Sequence, residues 1–457
     1  MTKDLTKGSI PKLLITFFIP LLFGRLFQQV YSMVDAAIVG KALGVMALGG
    51  VGSTGSLNFL ILGFCDGLTA GFVLPVAQAF GARNEKQLRT YVTNAAILSA
   101  IAAVVLLLVV LPLTGKLLTV MGTPEEQYAY AYDYIFIIFA GIPTMILYNL
   151  TAGIIRSLGD SKTPIYFLVI ASLLNIIGDF LLVVIFGMGV KGAAWATVIS
   201  QLISGVLCFI YMKKKFTILH MEKEDWKLDR ASCRYLLSNG VPMGLQFSIT
   251  AVGAVVMQSS VNALGAVYVS ANAVAQRVTH ILIVPFQAYL NVSSTFTGQN
   301  MGAGEFERIK KGVYWGIGIL TAFWAVELAA TYLIGSDILL LFLKKEEIGL
   351  VEEPAMMFIR FYAWGQFFLT FVQVVRLAIQ GMSFSKLALI AGMLEMLPRI
   401  LLAVFVVPKY GYVGSCLASP SAWLMATIFL IPAFEVCFRR RKAEYEQKKA
   451  AETAANA

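Results

Sequence analysis

Apolar residues fall in long unbroken stretches along this chain, separated by short clusters of charge, glycine and proline. The first stretch runs over roughly 13–37, and five more follow at 52–76, 91–114, 129–150, 163–186 and 191–212. After a polar interval the pattern resumes at 236–258, 270–296, 312–335, 355–379, 387–408 and 412–437. Each is about as long as the 20 or so apolar residues that carry a helix across the hydrocarbon layer. The polar remainder is a short N-terminal tail, a loop at 213–235 and a tail after Phe438, and a soluble domain fits in none of them. The pattern predicts an all-α membrane protein with twelve transmembrane helices.

Composition agrees: 58% of the 457 residues are hydrophobic and 14% charged, against about 25% charged in soluble domains. The net charge of +10 raises nucleic acid as a partner, but the placement of the charges excludes it. Twenty-five lysines and arginines lie in the tails and in every second loop, among them Lys213–Lys215, Lys223 and Arg439–Arg441. Only Lys41, Lys116, Lys191, Lys344, Lys345 and Lys409 lie in the alternate loops. By the positive-inside rule both termini are expected in the cytoplasm of a multi-pass plasma-membrane protein. The five cysteines (Cys65, Cys208, Cys233, Cys416 and Cys437) form no CxxC pair, so neither a disulfide framework nor a metal site is expected.

The chain also repeats itself. VAQAFGARNEKQLR (76–89) aligns with TGQNMGAGEFERIK (297–310), Pro20 with Pro242, and Ser161-Lys162 with Ser385-Lys386. GVKGAAWATVIS (189–200) aligns with GYVGSCLASPSA (411–422). Two six-helix bundles are therefore expected, related by a pseudo-two-fold axis along the membrane normal. The divisions are an N-lobe at 1–212, a linker at 213–235, a C-lobe at 236–437 and a tail at 438–457. Two such bundles suit alternating access.

Enzyme signatures are missing: there is no GxxxxGK[ST] loop and no HExxH, so no catalytic residue and no cofactor is predicted. A GxGxxG at Gly187, Gly189 and Gly192 joins two spans and is expected to be a tight turn. Gly63, Gly67 and Gly71, four apart, are expected to let helices approach closely. The informative residues are acids inside spans, because a charge in hydrocarbon costs several kcal/mol and is kept for a reason. They are Asp35, Asp66, Asp179, Glu327 and Glu395. Depth along the helices puts Asp35, Asn175, Asp179 and Thr197 together in the outer half of the first bundle. Such a set can ligate Na⁺ through hard oxygens, or share a proton between carboxyls. The plainer alternative is an interfacial Asp35 beside a structural Asn175–Asp179 pair. For Glu327 and Glu395, ion pairs with Arg360, Arg376 or Arg399 are expected.

QQVYSMVDAAIVG (28–40), QAFGA, RSLGDSKTP (156–164), NIIGD (175–179) and GAAWAT (192–197) together resemble the multidrug and toxic compound extrusion (MATE) transporters, across both halves. The resemblance implies export of bulky, often cationic, organic compounds by antiport with H⁺ or Na⁺. It maps a coupling-cation site onto Asp35, Asn175, Asp179 and Thr197, and a helix-1 hinge onto Pro20. Tyr31, Gln246 and Trp364 are candidate substrate contacts, and a monomer without nucleic-acid partners is expected. Two departures stand out. Spans 7 and 10 lack the acids of some members, and Arg25 is unexpected in a cation exporter. The alternative function is a flippase for an anionic lipid-linked precursor of the same superfamily, drawing on Arg25, Arg277 and Arg399.

Overall fold

A computed structural model describes residues 4–339 and 348–455, so Lys344 and Lys345 lie outside the described residues. All twelve predicted spans are helical: Ile10–Leu43, Val45–Gly81, Glu85–Val120, a bent pair at Glu125–Ala140 and Ile142–Ser157, Thr163–Ile185 and Val190–Lys215. The second half supplies Arg230–Asn262, Ala266–Gly302, Phe306–Leu339, Val351–Gly381, Ser385–Tyr410 and Tyr412–Ala451. They are spans 1 to 12 below. Most outrun the hydrocarbon thickness, because the helices continue into the polar ends that hydropathy trims.

Breaks in the spans have local causes. Span 4 bends by 46° between Ala140 and Ile142. Gly141 occupies the break and Pro143, which has no N–H to give, follows in the first turn beyond it. The break falls inside the single span that the sequence pattern gives at 129–150. Gly187 and Gly189 take φ of +64° and +62°, the turn expected between spans 5 and 6.

The described chain divides into two compact units. Unit 1 holds Ile19–Ser248 with the chain start up to Leu5; unit 2 holds Thr6–Phe18 and Ile249 onward. The divisions thus fall inside spans 1 and 7, next to Pro20 in the first case, and not at the 213–235 loop. Within unit 1, the first half of span 7 packs on span 2. A Cβ at Gly67 would stand 2.6 Å from the Met243 carbonyl carbon, and one at Gly71 would stand 2.6 Å from the Gly240 nitrogen. The glycine series therefore seats one backbone directly on another. Within unit 2, Phe18 of span 1 packs edge-on against Tyr289 and Phe323, with ring centroids at 5.7 and 5.4 Å.

The 213–235 segment is fastened to span 3. Asn94, fully buried, accepts from the Asp229 N–H at 3.0 Å and donates to the Lys227 carbonyl at 3.3 Å. Arg89 pairs with Asp225 at 3.2 Å, and the Thr93 hydroxyl donates to the Asp225 carbonyl. At the other end of the chain the tail continues span 12 as helix to Ala455. Tyr445 packs edge-on against Phe306, and Arg441 lies over the Phe384 ring.

Candidate functional site

Span 6 opens with Gly192, Ala193, Ala194 and Ala196, all buried. Their small size lets span 5 come close. A Cβ at Gly178 would stand 3.1 Å from that of Ala196, and one at Gly192 would stand 2.9 Å from the Leu182 carbonyl carbon. This contact sets Asn175 and Asp179, one turn apart on one face of span 5, against Thr197 on span 6. The Asn175 amide donates to the Thr197 hydroxyl at 3.4 Å, and that hydroxyl donates to the Ala193 carbonyl at 3.1 Å. With its Nδ2 engaged, Asn175 keeps Oδ1 buried and without a hydrogen-bond partner.

Asp35 enters from span 1, half-buried, and its carboxyl lies directly against that of Asp179. Asp179 is 0% exposed, and neither of its oxygens has a hydrogen-bond donor; Asp35 Oδ1 has none either. No ion pair among the described residues involves Asp35 or Asp179. Beyond Asp179 the span changes character: Phe180–Ile185 is π-helical, a distortion common at functional sites. The four residues grouped by depth are therefore grouped in space.

Side by side in a dry interior, two carboxylates repel strongly. A proton shared between the two, or a cation held by both, would relieve that repulsion. The surrounding acceptors, Asn175 Oδ1 and the Thr197 hydroxyl, are hard oxygens that suit a monovalent cation equally well. Tyr31 lies within electrostatic reach of both carboxyls. So does Tyr134 of span 4, which is 9% exposed. Tyr134 went unnoticed in the sequence, where it is one of four tyrosines at alternate positions from Tyr128 with nothing to single it out.

The other candidates scatter. Gln246 is buried in unit 1, whereas Trp364 belongs to unit 2, where its indole donates to the Tyr332 hydroxyl at 3.0 Å. Asp66, exposed at mid-span, accepts from the Asn149 amide. Arg25 donates to Gln28 at 3.0 Å. Glu395 pairs with Arg376 as expected. Glu327 does not pair: its Oε2 is buried without a partner, and Arg360 lies instead over the Tyr332 ring, 5.5 Å from the centroid.

The MatE family model matches residues 20–181 and 242–405, one copy in each half of the chain. The probable multidrug resistance protein YoeA of Bacillus subtilis is 31% identical over 78% of this chain and 79% of its own. Among solved structures, a MATE in complex with MaL6 superposes with a TM-score of 0.89 at 23% identity, covering 97% of this chain and all of that one. A MOP-superfamily transporter from Pyrococcus furiosus, described as having a binding pocket of reversed polarity, superposes with a TM-score of 0.87 at 23% identity, over 96% and 98%. The family model alone spans well over half of the residues, and the chain belongs to the MATE family of membrane transporters.

Proposed function

We propose that this protein exports bulky organic compounds from the cytoplasm, driven by entry of H⁺ or Na⁺ at Asp35, Asn175, Asp179 and Thr197. One observation carries the reading: the Asp35 and Asp179 carboxyls face each other without a basic partner, and Asp179 is fully buried. A purely structural pair would be expected to have donors on its oxygens, since unsatisfied buried acceptors cost about 1–3 kcal/mol each. Oxygens left bare in this way are ready for an ion that comes and goes. The multidrug-resistance name of the Bacillus subtilis relative supports organic compounds as the cargo. Charge placement supports a multi-pass plasma-membrane protein with both termini inside.

Pro20 is the hinge in this reading. It stands inside span 1, removes one backbone hydrogen bond, and lies beside the point where the span passes from one unit to the other. Bending there would move Asp35, four turns on, relative to Asp179. Reconstituted protein given Na⁺ and H⁺ gradients separately tests the proposal. Accumulation of an organic cation under one gradient supports it, and accumulation under neither refutes it. A flippase would instead move a fluorescent anionic lipid analogue between leaflets in the same vesicles, independently of either gradient.

A further inference from the structure

In the second half of the chain the span that corresponds to span 5 carries an arginine, at the level of Asn175 or Ile177, and no carboxylate at the level of Asp179. Ser161 and Ser385, at the start of spans 5 and 11, stand 224 residues apart, and Gly189 and Gly411, just beyond their ends, stand 222 apart. Counted from the first pair, Arg399 is the counterpart of Asn175; counted from the second, it is the counterpart of Ile177. Both spans then turn π-helical, over Phe180–Ile185 and over Leu402–Val406. Pro20 and Pro242, 222 apart, set Met257 opposite Asp35 and Gly253 opposite Tyr31. Where unit 1 has two carboxyls, the corresponding helices of unit 2 bring an arginine.

Arg399 is 9% exposed, and its Nη1 is buried without a hydrogen-bond partner. Its stem runs past Gly253, where a Cβ would stand 3.4 Å from Cδ. Glu395, one turn back on span 11, lies within electrostatic reach but is already engaged. Arg376 donates to it at 2.7 Å and to Gln373 at 2.8 Å, and Arg376 Nε is itself buried without a partner. Two guanidinium groups thus share one carboxylate, which leaves a positive charge and two unused N–H donors in the interior, one from Arg399 at mid-span 11 and one from Arg376 nearer the end of span 10. Glu327 on span 9 shares no ion pair with either arginine. A buried charge left in this state is strongly unfavourable unless something completes it.

We propose that Arg399, backed by the Arg376–Glu395 pair, is an anion site of unit 2 that takes the carboxylate or phosphate group of a small amphipathic molecule. The planar guanidinium fork matches those two groups in shape. Beside it, Gly253 and Met396 offer apolar contact, and Tyr362 lies within electrostatic reach. The site goes beyond the coupling reading and does not depend on it.

The test is calorimetric binding to the full-length protein in phosphatidylcholine nanodiscs, with sodium benzoate and inorganic phosphate as probes. Saturable binding of at least one probe is expected. Arg399→Gln should weaken it by about tenfold or more, as losing charged hydrogen bonds requires. Arg399→Lys, which keeps the charge and loses the fork, should weaken it less, and Asp35→Asn should leave it unchanged. Arg399→Gln should fold at least as stably as the wild type, since it removes a buried unpaired charge; should it fail to fold, the Arg399→Lys comparison decides. In phosphatidylglycerol discs, loss of probe binding identifies a lipid headgroup as the resident anion, and unchanged binding identifies a soluble one. No saturable binding of either probe in phosphatidylcholine, or equal affinity in the wild type and the Arg399 variants, overturns the proposal.

Discussion

Arg376 donates to Glu395 across 2.7 Å in the interior of unit 2, both side chains less than a tenth exposed. The pair joins spans 10 and 11, and breaking it leaves one charge without its partner. Glu395→Gln should therefore destabilise the protein by about 3–5 kcal/mol. Thermal unfolding in detergent checks this. Arg376→Gln with Glu395→Gln should recover part of the loss, because only Arg399 then remains as a lone charge. Wild-type stability in the Glu395→Gln single variant would show that the pair does not hold the bundle.

Close backbone contact between span 2 and the first half of span 7 predicts a sharp difference between glycines. Gly71→Val has no room against Gly240, and the helices must part; overpacking of this kind costs about 1–3 kcal/mol or more. Gly318→Val on span 9 meets open space within 4 Å and should be tolerated. Comparing the yield of monodisperse protein distinguishes the two cases.

These two examples mark what the sequence made legible. The i, i+4 glycines announced a helix–helix contact but not its partner, because periodicity describes one helix at a time. Likewise the acids of spans 1 and 5 and the hydroxyl of span 6 could be grouped by depth, since rise per residue is fixed. Tyr134 could not, because it is one of four tyrosines at alternate positions and the sequence does not say which of them meets the acids. The pairing of Glu395 was foreseeable from nearby arginines; the lack of an ion pair at Glu327 was not, because sequence spacing does not show that Arg360 lies over the Tyr332 ring. The passage of spans 1 and 7 between units could not be read from hydropathy, because it depends on which helices each part of the span packs against.

Asn94 fastens the 213–235 segment through three hydrogen bonds, to the Lys227 carbonyl, from the Asp229 N–H and from the Cys233 thiol. Asn94→Leu keeps the volume and removes all of them. Trypsin should then cut at Lys223 or Lys227 several-fold faster than in the wild type, with the spans intact. An unchanged cleavage rate would mean that Arg89–Asp225 and Thr93 hold the segment alone.

Pro20→Ala restores a backbone N–H and with it the missing hydrogen bond of span 1. The variant should fold at least as stably and export more slowly, because the helix resists bending where the two units divide it. Wild-type export rates would remove the hinge from the account.

Coupling at Asp35 and Asp179 is the central claim, and one measurement addresses it directly: gradient-driven uptake of an organic cation into proteoliposomes by the wild type, Asp35→Asn and Asp179→Asn at matched protein levels. An amide keeps the shape of the carboxyl but neither carries negative charge nor exchanges a proton near neutral pH. Both variants should therefore insert and fold, and both should lose uptake under whichever gradient, Na⁺ or H⁺, drives the wild type. Glu395→Gln, corrected for the amount folded, should retain it. Near-wild-type uptake by Asp35→Asn would contradict the account.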